Sequence, residues 1–143
     1  MNSSKYAETR FKGMKSERPK NITADQAAIL IKSGNLIVNG HSSASSRAFI
    51  QAMVKRAEEL KNVWITHVRV EGPAEYLSPC YKNSFFHNAF MLRPNSRKSM
   101  LEGNADYIPN RYGQMHVFLQ EGFVKPDIAL LQLNPPDSFG HCT

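Results

Sequence analysis

The side chains able to do chemistry in this chain gather in a few polar stretches. The first, Gly40-His41-Ser42-Ser43-Ala44-Ser45-Ser46, offers hydroxyls and backbone N–H groups just ahead of an apolar-periodic segment. A helix that starts there presents free N–H groups and the positive end of its dipole, which suits an anion such as phosphate or carboxylate. Arg47 on the first turn adds a charge to the same spot. The stretch has neither the three-glycine dinucleotide fingerprint nor the Gly-Lys-Ser/Thr ending of a nucleotide loop. Ser-rich loops also cap helices for structural reasons alone, so both readings stand. Glu71 and Glu75 lie beyond a strand end, a place for a nucleophilic carboxylate and equally for ordinary loop glutamates. Arg93 and Arg97 flank a helix start at Asn95-Ser96, which reads either as a guanidinium pair for a phosphorylated ligand or as a solvated turn.

The five histidines, His41, His67, His87, His116 and His141, show no metal-ligand spacing. His67 and His87 fall inside strand candidates and read as core or interface histidines rather than catalytic ones. Cys80 has no basic neighbour to lower its thiol pKa and is expected to be a small filler. Cys80 and Cys142 are far apart in sequence, so neither a disulfide scaffold nor a zinc ribbon is indicated, and a reducing compartment is the default.

The elements that must position these residues follow from periodicity and punctuation. Thr23 with Gln26 forms a capping-box pair ahead of Ala24, Ala27, Ala28 and Ile31, with Gly34 in the place of a left-handed C-cap. Leu36-Ile37-Val38 is apolar on consecutive residues, as in a strand covered on both faces, and stops at Asn39-Gly40. Phe49, Ala52, Met53, Ala57 and Leu60 repeat at three and four, a helix that Ser45 or Ser46 would cap. The β-branched run 63–70 is a strand, as is 85–92. Asn95 or Ser96 caps a helix through Glu102, Gly103 ends it, and Tyr107-Ile108-Pro109 is a brief strand. Residues 115–120 are ambiguous, and 127–133 is a nearly continuous apolar strand.

Strands alternating with helices predict an α/β fold: a mainly parallel open sheet flanked by helices on both faces, with right-handed crossovers. In such sheets ligands bind beyond the carboxyl ends of the strands, which singles out the loops 40–46, 71–79 and 134–140.

The chain has 143 residues, 41% hydrophobic and 21% charged, enough for one domain with its own core. Disordered, collagenous and coiled-coil classes are excluded by composition. No run approaches the roughly 18 apolar residues of a membrane-spanning helix, and no signal-peptide core is visible, so neither membrane nor secretion is expected. Of the net charge of +6, residues 1–20 carry +4. This basic leader lacks aromatic interleaving or a nucleic-acid motif, so nucleic acid is not expected as a partner. The expected compartment is the cytoplasm, or the mitochondrial matrix should the leader be a presequence.

Several stretches in order resemble the acetyl-CoA hydrolase/transferase family, which includes acetate, butyrate and 4-hydroxybutyrate CoA-transferases. They are Thr23-Ala24-Asp25-Gln26-Ala27 with Ile31-Lys32-Ser33-Gly34, the strand ending at Gly40, and the helix around Ala52-Met53. Further on come Arg97 with Glu102-Gly103, Tyr107-Ile108-Pro109, and Asp127-Ile128-Ala129 running into Pro135-Pro136-Asp137 and Gly140. The closing strand with Pro-Pro-Asp-x-x-Gly is the most specific of these.

The resemblance implies a CoA-transferase-type half: residues 21–143 as the N-terminal α/β domain, stopping before a second half, after the leader 1–20. It implies transfer of CoA between a small acyl-CoA, above all acetyl-CoA, and a carboxylate, or hydrolysis of that thioester. Coenzyme A is then a substrate, and no permanently bound cofactor or metal is expected. The family's glutamate nucleophile belongs to the second half, so this chain should hold no catalytic residue and be inactive alone. Gly40, Ser42, Ser43, Pro135, Pro136, Asp137 and Gly140 would shape and orient the substrate cleft, although Asp137 also suits a turn cap. Loss of the second half should leave apolar surface, hence a homo-oligomer or a self-associating chain. The alternative of a different class is a non-catalytic α/β module that holds a phosphorylated ligand on its Ser-rich helix start.

Overall fold

The computed structural model describes residues 20–69, 72–139, 141 and 142. The leader therefore lies outside the described residues, apart from Lys20.

The capping box forms as its residue types dictate. The Gln26 N–H donates to Thr23 Oγ1 and the Thr23 N–H donates to Gln26 Oε1, at 3.2 and 2.9 Å. The short helix α1, Ala24–Ala28, begins there. Gly34 does adopt a left-handed φ of +82°, but not as the cap of α1, which ends on Ile29. Its N–H instead donates to the Lys61 carbonyl in the turn that enters the first strand.

Strand β1, Leu36–Asn39, is followed by a 3-10 turn at Ser42–Ala44 and by helix α2, Arg47–Val54. Ser46 occupies the α2 N-cap position without a side-chain bond, and Ser45 is turned inward, its Oγ accepting from Asn39 Nδ2 at 2.8 Å. Neither serine caps the helix through its hydroxyl. Strand β2 is Val63–His67 and β3 is Phe85–Ala89, each shorter than the apolar runs suggest. The Phe90 N–H, donating to the His67 carbonyl, makes the last bond between the two strands, and beyond it the β2 chain turns to the first loop, where the Arg69 carbonyl accepts from Ser42.

Helix α3, Pro94–Leu101, starts two or three residues earlier than expected, with Arg93 rather than Asn95 or Ser96 as N-cap. Proline at the first helical position has a compatible φ and no N–H to leave orphaned, and Ser96 becomes the third helical residue, its Oγ accepting from the Arg93 N–H at 2.9 Å. Strand β4 is Ala105–Tyr107, two residues ahead of the expected 107–109. The ambiguous 115–120 stretch is helix α4, Met115–Gln120, and the last strand, β5, is confined to Ile128–Leu130.

These five strands make one sheet in the order β4-β3-β2-β1-β5, parallel at every pairing. Because side chains alternate across a strand, the sheet feeds two cores. On one face Ile37, Val63, Ile65 and Phe85 pack with Phe49, Ile50 and Met53 of α2 and with Tyr76 and Leu77. On the other, Leu36 and Val38 join a smaller cluster with Met115, Phe118 and Val124. Helices thus cover both faces, the α/β architecture that the alternation of elements implies.

Candidate functional site

The carboxyl ends of the strands gather the polar residues. On the α2 side of the sheet the amino-terminal positions are apolar, whereas β1 ends on Asn39 and β2 on His67, and β3 carries His87 at its centre ahead of Ala89, all buried.

The loop after β1 is closely specified. The Gly40 N–H donates to the Leu130 carbonyl at 2.9 Å, joining the ends of β1 and β5. A β-carbon on Gly40 would collide with the Ala44 carbonyl oxygen, because the 3-10 turn folds back over it. Ser42 takes a left-handed φ of +53°, unusual for a residue with a side chain. Arg69 holds it there: Arg69 Nε donates to Ser42 Oγ at 2.6 Å, and the Ser42 N–H donates to the Arg69 carbonyl at 3.1 Å. Ser43 lies in the same turn. The first and second rim loops are thereby laced together.

The second loop is anchored from below. Tyr76, in a 3-10 turn at Glu75–Leu77, is fully buried, with its hydroxyl 2.7 Å from His67 Nε2. The His67 ring stacks on His87 at 4.4 Å between centroids, and His87 Nδ1 lies 3.0 Å from the Ile65 carbonyl, to which it donates as the N–H tautomer. Burial, with the neighbouring His87, pushes the His67 pKa well below its ordinary value. Burial likewise lowers His87 to about 4 and raises the Tyr76 phenol, with Glu75 adding to the rise. Both imidazoles are therefore neutral at pH 7, core side chains with a loop-anchoring task.

Glu71 and Gly140 lie outside the described residues, and Glu75 is half-buried at the start of its turn. Gly72, left-handed at φ +80°, sits against the Arg47 guanidinium, and its carbonyl accepts from Asn95 Nδ2 at 3.1 Å. Arg93 and Arg97 are exposed. Cys80 is exposed as well, in a 3-10 turn beside the Ser78 hydroxyl, so it fills no interior gap. Among the described residues no group of three or more His, Cys, Asp or Glu is placed to hold a metal ion, and no helix is long and apolar enough to cross a membrane.

The first and last loops approach each other along a cleft of about 640 Å³, lined by Ser45, Ser46, Arg47 and Ala48 on one wall and Leu131, Gln132 and Leu133 on the other. Gly40, Ser42, Ser43, Pro135, Pro136 and Asp137 are not among the residues that line it; Pro135, Pro136 and Asp137 follow the second wall in sequence and are exposed. Asp137 organises its own turn, its Oδ1 accepting the N–H groups of Phe139 and His141 at 2.8 and 2.9 Å. Sequence reading missed the pairing of Asn39 with Ser45, the Arg69 clamp and the Tyr76 anchor. Only the position of Asn39 and Arg69 at strand ends hinted at them.

Comparison with known proteins adds an independent observation. Residues 2–143 match the acetyl-CoA hydrolase/transferase N-terminal domain. The chain is 27% identical over 126 residues to a 4-hydroxybutyrate coenzyme A transferase of Clostridium kluyveri, covering 88% of this chain and 29% of that protein. It is 31% identical over 121 residues to a butyryl-CoA:acetate CoA-transferase of Anaerostipes caccae, covering 82% and 27%. The chain thus spans under a third of the length of these curated relatives. The fold is similar to that of RipA from Yersinia pestis, with a TM-score of 0.78 at 19% identity over 85% of this chain and 31% of that one. It is also similar to a 4-hydroxybutyrate CoA-transferase of Porphyromonas gingivalis, with a TM-score of 0.62 at 24% identity over 85% and 27%. With the parallel sheet, its glycine-tight first loop and the diproline segment already in place, the match across almost the whole chain means that this protein belongs to the acetyl-CoA hydrolase/transferase N-terminal domain family.

Proposed function

We propose that this chain is the N-terminal domain of a CoA-transferase or acyl-CoA hydrolase, forming one wall of a crevice that handles a small acyl-CoA, acetyl-CoA above all, and a carboxylate. The observation that carries this reading is the family match over residues 2–143. The position of the cleft, at the carboxyl rim where α/β sheets bind ligands, agrees with it.

The chemistry is covalent catalysis by a carboxylate. A glutamate attacks the thioester carbonyl, the C–S bond breaks, and CoA leaves as a thiolate while an acyl-glutamyl anhydride forms. The thiolate then attacks the glutamyl carbonyl, releasing the first carboxylate and leaving a glutamyl-CoA thioester, from which an acceptor carboxylate regains CoA by the reverse steps. In the hydrolase variant water accepts instead. Binding energy from the nucleotide end of CoA, remote from the reacting carbonyl, is available to orient that carbonyl.

The reactive glutamate is assigned to polypeptide beyond this chain. Glu71 and Glu75 are not promoted to nucleophile. Gly40, Ser42, Ser43, Pro135, Pro136, Asp137 and Gly140 shape the crevice and orient what enters it, and CoA is a substrate in a reaction that needs no resident cofactor. Acetyl-CoA with radiolabelled acetate tests the division of labour. The chain alone should give no label exchange, and exchange at enzyme-like rates would place the nucleophile here. Exchange that appears once the remainder of the family fold is supplied supports the reading, and none with a fully assembled protein removes it.

A further inference from the structure

The stacked histidines satisfy only half of their hydrogen-bonding capacity. His67 and His87 lie ring on ring at 4.4 Å with 25° between planes. His67 Nε2 meets the Tyr76 hydroxyl at 2.7 Å and His87 Nδ1 meets the Ile65 carbonyl at 3.0 Å. The other two nitrogens, His67 Nδ1 and His87 Nε2, are buried without a hydrogen-bond partner among the described residues. A pair of core phenylalanines would avoid that cost, so the stack needs an account other than packing.

What the stack holds is the 3-10 turn Glu75–Leu77, gripped through Tyr76, whose ring also lies edge-on to both imidazoles at 6.4 and 6.0 Å. The far side of the turn is held by neutral groups, Ser99 Oγ and Asn104 Nδ2 donating to the Leu77 carbonyl at 3.2 and 3.4 Å. The charged groups around it come from each packed element. Glu75 heads the turn, α3 brings Lys98 and Glu102 to a groove shared with it, and α2 brings Arg47 against Gly72. Arg69 follows β2, and its main chain favours the charged form of His67. With all four ring nitrogens accounted for, neither imidazole has a carboxylate partner. A proton on either ring is then a buried charge without a counterion, and a second proton sets two cations face to face. Relief comes from turning a ring to water, which requires Tyr76 to leave.

We propose that the His67–His87 stack is a proton-operated latch, which holds the Glu75–Leu77 turn, and with it the second rim loop, against the sheet at neutral pH and lets the turn go when the pair takes up protons. Protonation of clustered histidines is a general way to bias a two-state element, and a surface turn with few bonds opens at less cost than the sheet. The sign follows from burial, which disfavours the charged rings while the turn is closed, so release grows as pH falls below 6.5. With 6.5 for a solvated imidazole and about 4 for His87 in place, lowering the pH from 7 to 5 favours the released form about twentyfold through His87 alone. His67 adds to this.

Hydrogen exchange of the full 143-residue chain tests the latch at the Leu77 and Ser78 amides, which bond within the turn to the Ala74 and Glu75 carbonyls. Divided by the intrinsic rate at each pH, their exchange should rise at least about twentyfold from pH 7 to pH 5, while the strand amides of residues 63–65 stay slow. His87→Phe keeps a ring against His67 and should shrink that rise by at least about fivefold. Exchange that is indifferent to pH overturns the proposal, and so does a rise shared by residues 63–65, which is unfolding of the whole domain. Imidazole 15N shifts of the unaltered chain give a readout that needs no variant to fold. Both rings should gain protons in step with the loosening of the turn, and rings that titrate while Leu77 and Ser78 remain slow overturn the latch. No substrate enters these measurements, so the latch stands or falls separately from the reaction proposed above.

Discussion

Gly40 has no room for a side chain, because the turn that follows brings the Ala44 carbonyl over its α-carbon. Gly40→Ala should therefore cost about 1–3 kcal/mol, the range for forcing an extra group into a packed site, read as a lower urea midpoint. A different kind of sensitivity belongs to His87. Its folded pKa of about 4 lies below the unfolded value of 6.5, so the unfolded chain binds the proton more readily. Stability is complete above pH 6.5 and falls as pH drops toward 4, with a slope of up to about 1.4 kcal/mol per pH unit. His67 shifts in the same direction and steepens the loss. Urea midpoints at pH 7, 6 and 5 should show the decline, and His87→Leu should flatten it; a midpoint independent of pH over this window rules the account out.

Helix α1 is only five residues long, too short to persist by propensity, so its cap and its packing must hold it. Thr23→Ala removes one arm of the capping box and should lower stability by about 1 kcal/mol, with faster amide exchange at residues 24–28. An unchanged denaturation midpoint would show that packing against α2 suffices alone. The capping box, the parallel strands and the two-sided helix cover were legible in the sequence because each depends on neighbours within a few residues. Strand ends were less so. The reach of β2 is decided by where the chain leaves the sheet: the Arg69 carbonyl is occupied by Ser42, a residue 27 positions earlier.

For the molecule as a whole, the family assignment and the proposed placing of the nucleophile outside this chain predict no CoA exchange by the chain alone. Label transfer from acetate into acetyl-CoA should stay at the buffer blank for the isolated chain, and a rate above it that scales with protein concentration would reverse the assignment of the nucleophile. The candidate site is divided in the same way. The glycine and serines of the first loop and the diproline segment could be named from the sequence, but the cleft itself is lined by their neighbours, Ser45 to Ala48 and Leu131 to Leu133. The residues that hold those walls, Arg69 and Tyr76, gave no motif, since a clamp made by two side chains from different loops leaves no spacing to read.

By itself the sequence determined the α/β class, the order of elements and the loops at the carboxyl rim, because periodicity, capping and glycine punctuation act over one or two turns of chain. Tertiary structure alone decided that two histidines share a buried stack, that Ser42 is held in a left-handed conformation by Arg69, and that among the described strands the apolar β5 pairs with β1 alone. Each of these depends on which strand neighbours which, a relation between distant residues that no local pattern encodes.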